Sequence, residues 1–286
     1  MKRAYAMSIF SMLIFGTIGI FRRSIAIPSG LLAFSRGIIG GIYLLLFILV
    51  TKRRREKISR ISLVMLIITG AFIGLNWIFL FESYNYTTVS VATMCYYMEP
   101  AFIILLSPVF LSEKLTMKRL FCALLSVAGM FLISGAADGG GVSPEDAKGI
   151  LYGLGAAALY ASVIILNKKT KVDDIYFKTM IELFAASVTI VPYILLSEDI
   201  TAVSLTPRSV LLVLLVGILH TGIAYSMYFG SLDTLPAQSI AVISYIDPVS
   251  ALILSALVLG ETLSVYGITG AVLIIGSALM SEYGRK

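Results

Sequence analysis

The chain has 286 residues, 58% hydrophobic and 13% charged, with a mean hydropathy of +0.96. A soluble domain carries about 25% charged residues, so this composition excludes a water-soluble globular protein and points to a polytopic membrane protein. A net charge of +6 and the run KRRREK at 52–57 suit a chain oriented against anionic lipid, and no nucleic-acid partner is expected.

A helix needs about 20 apolar residues to cross roughly 30 Å of hydrocarbon. Ten candidate spans follow, near 4–21, 31–50, 62–81, 89–111, 119–136, 149–167, 175–196, 209–229, 238–259 and 265–281. The fold class is therefore all-α integral membrane protein. The first apolar run is long and lacks a small-x-small site after it, so it reads as an uncleaved span and not as a signal peptide. With the N-terminus in the cytoplasm, seventeen of the 22 Lys and Arg residues fall in cytoplasmic segments, four fall outside, and Arg36 lies within the second span. Both termini are then cytoplasmic.

Connections are short and several carry helix-start chemistry. Ser143-Pro144-Glu145-Asp146 places a capping serine and an N1 proline before span six, and Thr206-Pro207 does the same for span eight. Cys95 and Cys122 both fall in apolar spans, and neither their number nor their spacing supports a disulfide framework or a zinc site. No Walker motif is present, so ATP-driven transport by this chain alone is not expected. No cofactor is expected.

The two halves of the chain resemble each other. An offset of 148 pairs Tyr97 with Tyr245, Glu99 with Asp247, Pro100 with Pro248, Ser107 with Ser255, Leu111 with Leu259, Glu113 with Glu261 and Leu115 with Leu263. Five spans per half is an odd number, so the second half enters the membrane with opposite orientation, an inverted repeat of the kind secondary transporters use. The expected division is a first five-helix repeat over 1–137, an outer linker over 138–148 and a second five-helix repeat over 149–286.

Glu99 and Asp247 are the sharpest candidates for a site. A carboxylate deep in hydrocarbon costs several kcal/mol unless a cation, a proton or water compensates it. Each precedes a proline, which has no N–H to offer the preceding turn and so frees the carbonyls of Tyr96 and Ser244 beside the acids. A carbonyl and a carboxylate together suit an ammonium group, a small cation or a proton; the bland alternative is a packing hydrogen bond. Asn76, Trp77, Tyr96, Tyr97, Tyr160, Asn167 and Tyr225 are candidate lining for an amphipathic solute. His220, the single histidine, is a candidate for titration near neutrality or for a simple interhelical hydrogen bond. Arg36 reads equally well as an interfacial group or a substrate contact, and Glu182 is as open to an interfacial role as not; Tyr84 and Tyr86 read as an aromatic belt, and Glu113 and Glu261 as caps or gate contacts. Gly70, Ala71 and Gly74 suit close packing either within the bundle or between copies, so oligomeric state is not readable.

At YYMEPAFIILLSPVFLSEKLT, residues 96–116, and SYIDPVSALILSALVLGETLS, residues 244–264, the sequence resembles the EamA family of the drug/metabolite transporter superfamily. The resemblance implies two five-helix inverted repeats around a central cavity, alternating access and, in most members, export of amino acids and other small metabolites. Carried over to this sequence, it implies a cavity lined by Phe15, Asn76, Tyr96, Glu99, Tyr160, Tyr225 and Asp247. The expected activity is a secondary transporter in a prokaryotic plasma (inner) membrane, moving a small zwitterionic or cationic metabolite outward, with protons as a further partner. A proton-independent facilitator or importer is the alternative, and an integral-membrane enzyme the rival from another class; a single histidine and no long soluble loop argue against the latter.

Overall fold

The structure is a computed structural model that describes residues 1–23, 25, 27–52, 58–87, 89–133, 144–199, 206–259 and 265–282. Among these residues every regular element is helical. Six helical stretches are long and apolar enough to cross a membrane: Ser29–Val50, Arg60–Tyr86, Asp146–Lys169, Ile175–Ser197, Pro207–Leu232 and Ala237–Val258. Two shorter apolar helices are Glu99–Leu111 and Val265–Ser277.

In chain order the helices are α1 (Lys2–Gly16), α2 (Ile18–Arg23), α3 (Ser29–Val50), α4 (Arg60–Tyr86), α5 (Val89–Tyr96), α6 (Glu99–Leu111) and α7 (Met117–Ile133). They continue with α8 (Pro144–Lys169), α9 (Ile175–Ser197), α10 (Pro207–Leu215), a π-helical turn (Val216–Ile223), α11 (Ala224–Leu232), α12 (Ala237–Ser244), α13 (Ile246–Leu259) and α14 (Val265–Glu282). Local chemistry explains the starts. Ser59 caps α4 through Ser62 N–H at 3.0 Å, and Asp174 caps α9 through the N–H groups of Tyr176 and Phe177 at 2.9 and 3.2 Å. Thr206 caps α10 through Ser209 N–H at 3.1 Å, with Pro207 at the first helical position as its sequence signature implies. Ser143, the expected cap of α8, lies outside the described residues, as do Glu261 and most of the expected linker.

Several expected spans are interrupted where continuous helices were anticipated. The fourth breaks between Tyr96 and Glu99, the ninth at Tyr245, and the first at Thr17. The eighth passes through the π-helical turn. In the fourth and ninth, the proline just after the break has no N–H to continue the ladder, so a new helix begins with the acid in its first turn. The acid then sits at the positive end of that helix dipole.

Large apolar side chains stand on the outer surface while many polar ones are buried, the arrangement of a bundle in lipid. Leu196 and Leu257 are 87% and 77% exposed, whereas Ser8, Thr69, Asn76, Ser107 and Ser126 are fully buried. Helix pairs approach closely through small residues. A Cβ on Gly70 would stand 2.4 Å from the carbonyl oxygen of Glu182, and one on Gly74 would stand 2.6 Å from that of Ala186, so these glycines serve α4–α9 packing inside the bundle. Ser126 and Ser277 hydrogen-bond at 2.6 Å between α7 and α14. Both cysteines are buried and free.

Glu182, which the sequence leaves open to an interfacial role, is completely buried within the bundle in α9. Lys178, one turn earlier, is turned inward as well and donates from Nζ to the carbonyl of Asn167 at 2.6 Å.

Candidate functional site

A cavity of about 350 Å³ opens at the centre of the bundle. The breaks in α5–α6 and α12–α13 bring Glu99 and Asp247 to its wall. Glu99 is 5% exposed and its Oε1 has no hydrogen-bond partner. Asp247 accepts the Tyr97 hydroxyl at 3.3 Å on Oδ2. Gly16 makes this placement possible, because α1 lies directly on the start of α13. A Cβ there would stand 1.9 Å from Ser250 Oγ and 2.9 Å from the carbonyl oxygen of Asp247.

Aromatic rings supply most of the remaining wall. Phe15 packs edge-on against Tyr225 at 5.3 Å between centroids, and Trp77 packs edge-on against Tyr225 at 6.3 Å. Tyr160 stacks on Tyr228 at 6.4 Å and also meets Tyr96 at 6.4 Å. Tyr228 in turn shares a hydrogen bond of 3.1 Å with Ser244, at the end of α12. The rings form a wall that is apolar in its faces and polar at its hydroxyls.

His220 reaches the cavity from the π-helical turn, an irregularity that recurs at functional sites. The Thr17 hydroxyl donates to the Ile14 carbonyl at 2.7 Å, which leaves its oxygen to accept the His220 Nε2–H at 2.7 Å. Nδ1 is buried without a partner. The ring therefore braces the break between α1 and α2, and Phe21 packs edge-on against it at 5.0 Å.

Nine of the eleven site residues singled out from the sequence meet at this cavity: Phe15, Trp77, Tyr96, Tyr97, Glu99, Tyr160, His220, Tyr225 and Asp247. Asn76 does not line it. Its Nδ2 donates to the Ala156 carbonyl at 2.7 Å, tying α4 to α8, because the residue beside Trp77 on a helix points about 100° away from it. Asn167 is also absent from the wall. Tyr84 lines the cavity, in contrast to the interfacial belt expected for it, while Tyr86 stacks on Tyr152 at 5.7 Å under the Lys148 ammonium.

Arg36, open between interface and site on sequence grounds, lies in the cavity wall. Its guanidinium carbon lies 3.9 Å from the centroid of the Trp77 ring. An isolated arginine five residues inside a span does not reveal which way it turns; the partner ring on α4 does. Tyr228 and Ser244 are further cavity residues without a distinguishing signal in the sequence.

One end of the bundle is closed by a polar cluster. Glu113 follows Ser112, whose left-handed φ of 55° turns the chain back on α6. Its carboxylate accepts the N–H groups of Ala237 and Gln238 at 2.8 and 3.3 Å, capping α12. Lys168 Nζ lies 4.0 Å from Glu113 and donates to the carbonyls of Leu232 and Leu235 at 3.0 and 2.7 Å. Gln238 donates to Ser107 Oγ at 2.7 Å and accepts from Arg119. No group of three or more His, Cys, Asp or Glu side chains able to hold a metal occurs among the described residues.

A polytopic helical bundle enclosing one amphipathic cavity, with carboxylates at broken spans, defines a membrane transport protein. The chain belongs to the EamA-like transporter family, whose model matches it twice, over residues 2–135 and 147–283. It is similar to the uncharacterized transporter YxxF of Bacillus subtilis (strain 168), with 29% identity over 97% of this chain and 89% of the relative. An uncharacterized transporter of Archaeoglobus fulgidus is 23% identical over 98% of this chain and 97% of its own. A solved crystal structure with 22% identity, covering 98% of both chains, superimposes with a TM-score of 0.87 and has the same fold.

Proposed function

We propose that this membrane transporter is a secondary carrier that exports a small zwitterionic or cationic metabolite by alternating access. Its working units are two five-helix inverted repeats, over 1–137 and 149–286, with the cavity between them. The observation that carries the reading is the pairing of Glu99 and Asp247, each opening the second part of a broken span, at the wall of one cavity. The double match of the family model supports the repeat. At about 350 Å³ the cavity is near the lower end of the ~300–1,000 Å³ of small-molecule sites, which suits one small metabolite and not a peptide.

In this cycle the cationic end of the solute rests against the two carboxylates while the rings of Phe15, Trp77 and Tyr225 cover its apolar body. Between export strokes, Glu99 or Asp247 carries a proton in place of the solute, so that neither face of the cycle leaves two bare carboxylates in a low-dielectric site. Closure at the Glu113 cluster seals one side.

Reconstitution into liposomes tests the reading. A carrier gives accelerated exchange of labelled solute when unlabelled solute waits on the far side, and a channel does not. Flux driven by a pH gradient separates proton coupling from facilitated movement. Wild-type flux and pH dependence in the double variant Glu99→Gln, Asp247→Asn would remove both acids from the mechanism.

A further inference from the structure

Among the described residues, Arg36 is the Lys or Arg side chain that lines the cavity. It makes no salt bridge there, and its Nε is buried without a hydrogen-bond partner. A buried N–H without an acceptor is costly, and the guanidinium keeps its charge at any ordinary pH. The guanidinium carbon lies 3.9 Å from the Trp77 ring centroid, a cation–π contact that consumes none of the N–H donors along the guanidinium edge. That edge is a rigid fork that matches a carboxylate in two parallel hydrogen bonds.

The fork is also held in place. Glu198 accepts the N–H groups of Gly30 and Leu31 at 2.6 and 2.9 Å, which fastens the start of α3 about two turns before Arg36. Trp77 itself is 3% exposed and fixed in the core. A side chain reaching for lipid headgroups would lie along the outer surface, not under a buried indole.

We propose that Arg36 is a carboxylate-binding residue, and that the solute must carry a carboxylate at that end and an ammonium group at the end facing Glu99 and Asp247. This inference rests on the proposed transport of a zwitterionic or cationic metabolite and narrows it to zwitterions that carry a carboxylate. Simple amines and organic cations leave Arg36 without a partner. A phosphorylated solute brings a second negative charge that one guanidinium does not balance, in a cavity that already holds two acids.

Thermal stability of the purified protein tests this with leucine, methionine and phenylalanine, each compared with its methyl ester and its decarboxylated amine, and with phosphoserine. A ligand that binds the folded state raises its melting temperature, by an amount that grows with the logarithm of its concentration over its Kd. The expected result is a shift with at least one free amino acid, at least ten-fold weaker binding of its ester and amine, and loss of the shift in Arg36→Gln. Arg36→Lys keeps the charge without the fork and retains a reduced response.

An ester or amine that stabilises the wild type as well as the parent amino acid overturns the carboxylate role without touching the transport proposal. So does an unchanged amino-acid response in Arg36→Gln, and so does a response to phosphoserine alone. If every probe fails on the wild type and the same amino acids also give no exchange in liposomes, both proposals fall. The wild-type comparison of acid with ester does not depend on how any variant folds.

Discussion

Glu113 Oε1 accepts the backbone N–H of Ala237 at 2.8 Å, so a side chain at the end of one broken span caps the start of another that is 124 residues away. Lys168 joins the pair from α8. Replacing Glu113 with Ala removes a charged cap from two N–H groups and is expected to destabilise the protein by about 1–2 kcal/mol. Lys168→Met is expected to cost about 1 kcal/mol. The double variant should lose less than the two losses added together, because the groups share one cluster. Thermal unfolding of the four proteins in detergent measures the cycle, and strict additivity would mean that Lys168 acts on the Leu232 and Leu235 carbonyls alone.

Gly16→Ala is expected to disturb the site from outside its polar groups. The new methyl meets Ser250 Oγ and the backbone of Asp247 and Ala251, so α1 must draw away from α13. We expect a destabilisation of about 1–3 kcal/mol, the usual range for overpacking, together with weakened solute binding. Adding Ser250→Ala should restore part of the loss, since two backbone contacts at 2.9 and 3.0 Å remain. Gly276→Ala is the control: nothing lies within 4 Å of its added Cβ, and the change should be neutral or stabilise by up to about 1 kcal/mol.

Asn76→Ala should separate packing from binding. It removes the 2.7 Å hydrogen bond to Ala156, and interhelical hydrogen bonds in membranes are worth about 0.6 kcal/mol on average, up to about 1.7. The melting temperature is expected to fall while the increment produced by a bound solute stays at its wild-type size. A lost increment would return Asn76 to the cavity side of the account.

Glu198→Ala is expected to loosen α3. Two backbone N–H groups at the start of that helix lose their acceptor, at a cost of about 1 kcal/mol. Hydrogen exchange at Gly30 and Leu31 should accelerate, and the fraying should be confined to the first turn of α3. Exchange that remains at the wild-type rate would show that water replaces the carboxylate without penalty.

Much of this molecule was legible in one dimension. Apolar stretches of about 20 residues have few alternatives to a membrane helix, because only internal hydrogen bonding satisfies a backbone in hydrocarbon. Glu99 and Asp247 stood out for the same reason, each a charge in a place where charge is expensive and each beside a proline. The facing of side chains was not legible. Asn76 and Trp77 are neighbours in sequence, yet one ties α4 to α8 and the other walls the cavity. Arg36 acquires its meaning from Trp77 on another helix, Glu182 turns inward where the sequence leaves its placement open, and Tyr84 leaves the expected belt for the site. Composition and hydropathy act on each segment independently and so determine class and span. The direction in which a polar side chain points depends on which helices come close to it, and that is a property of the packed bundle.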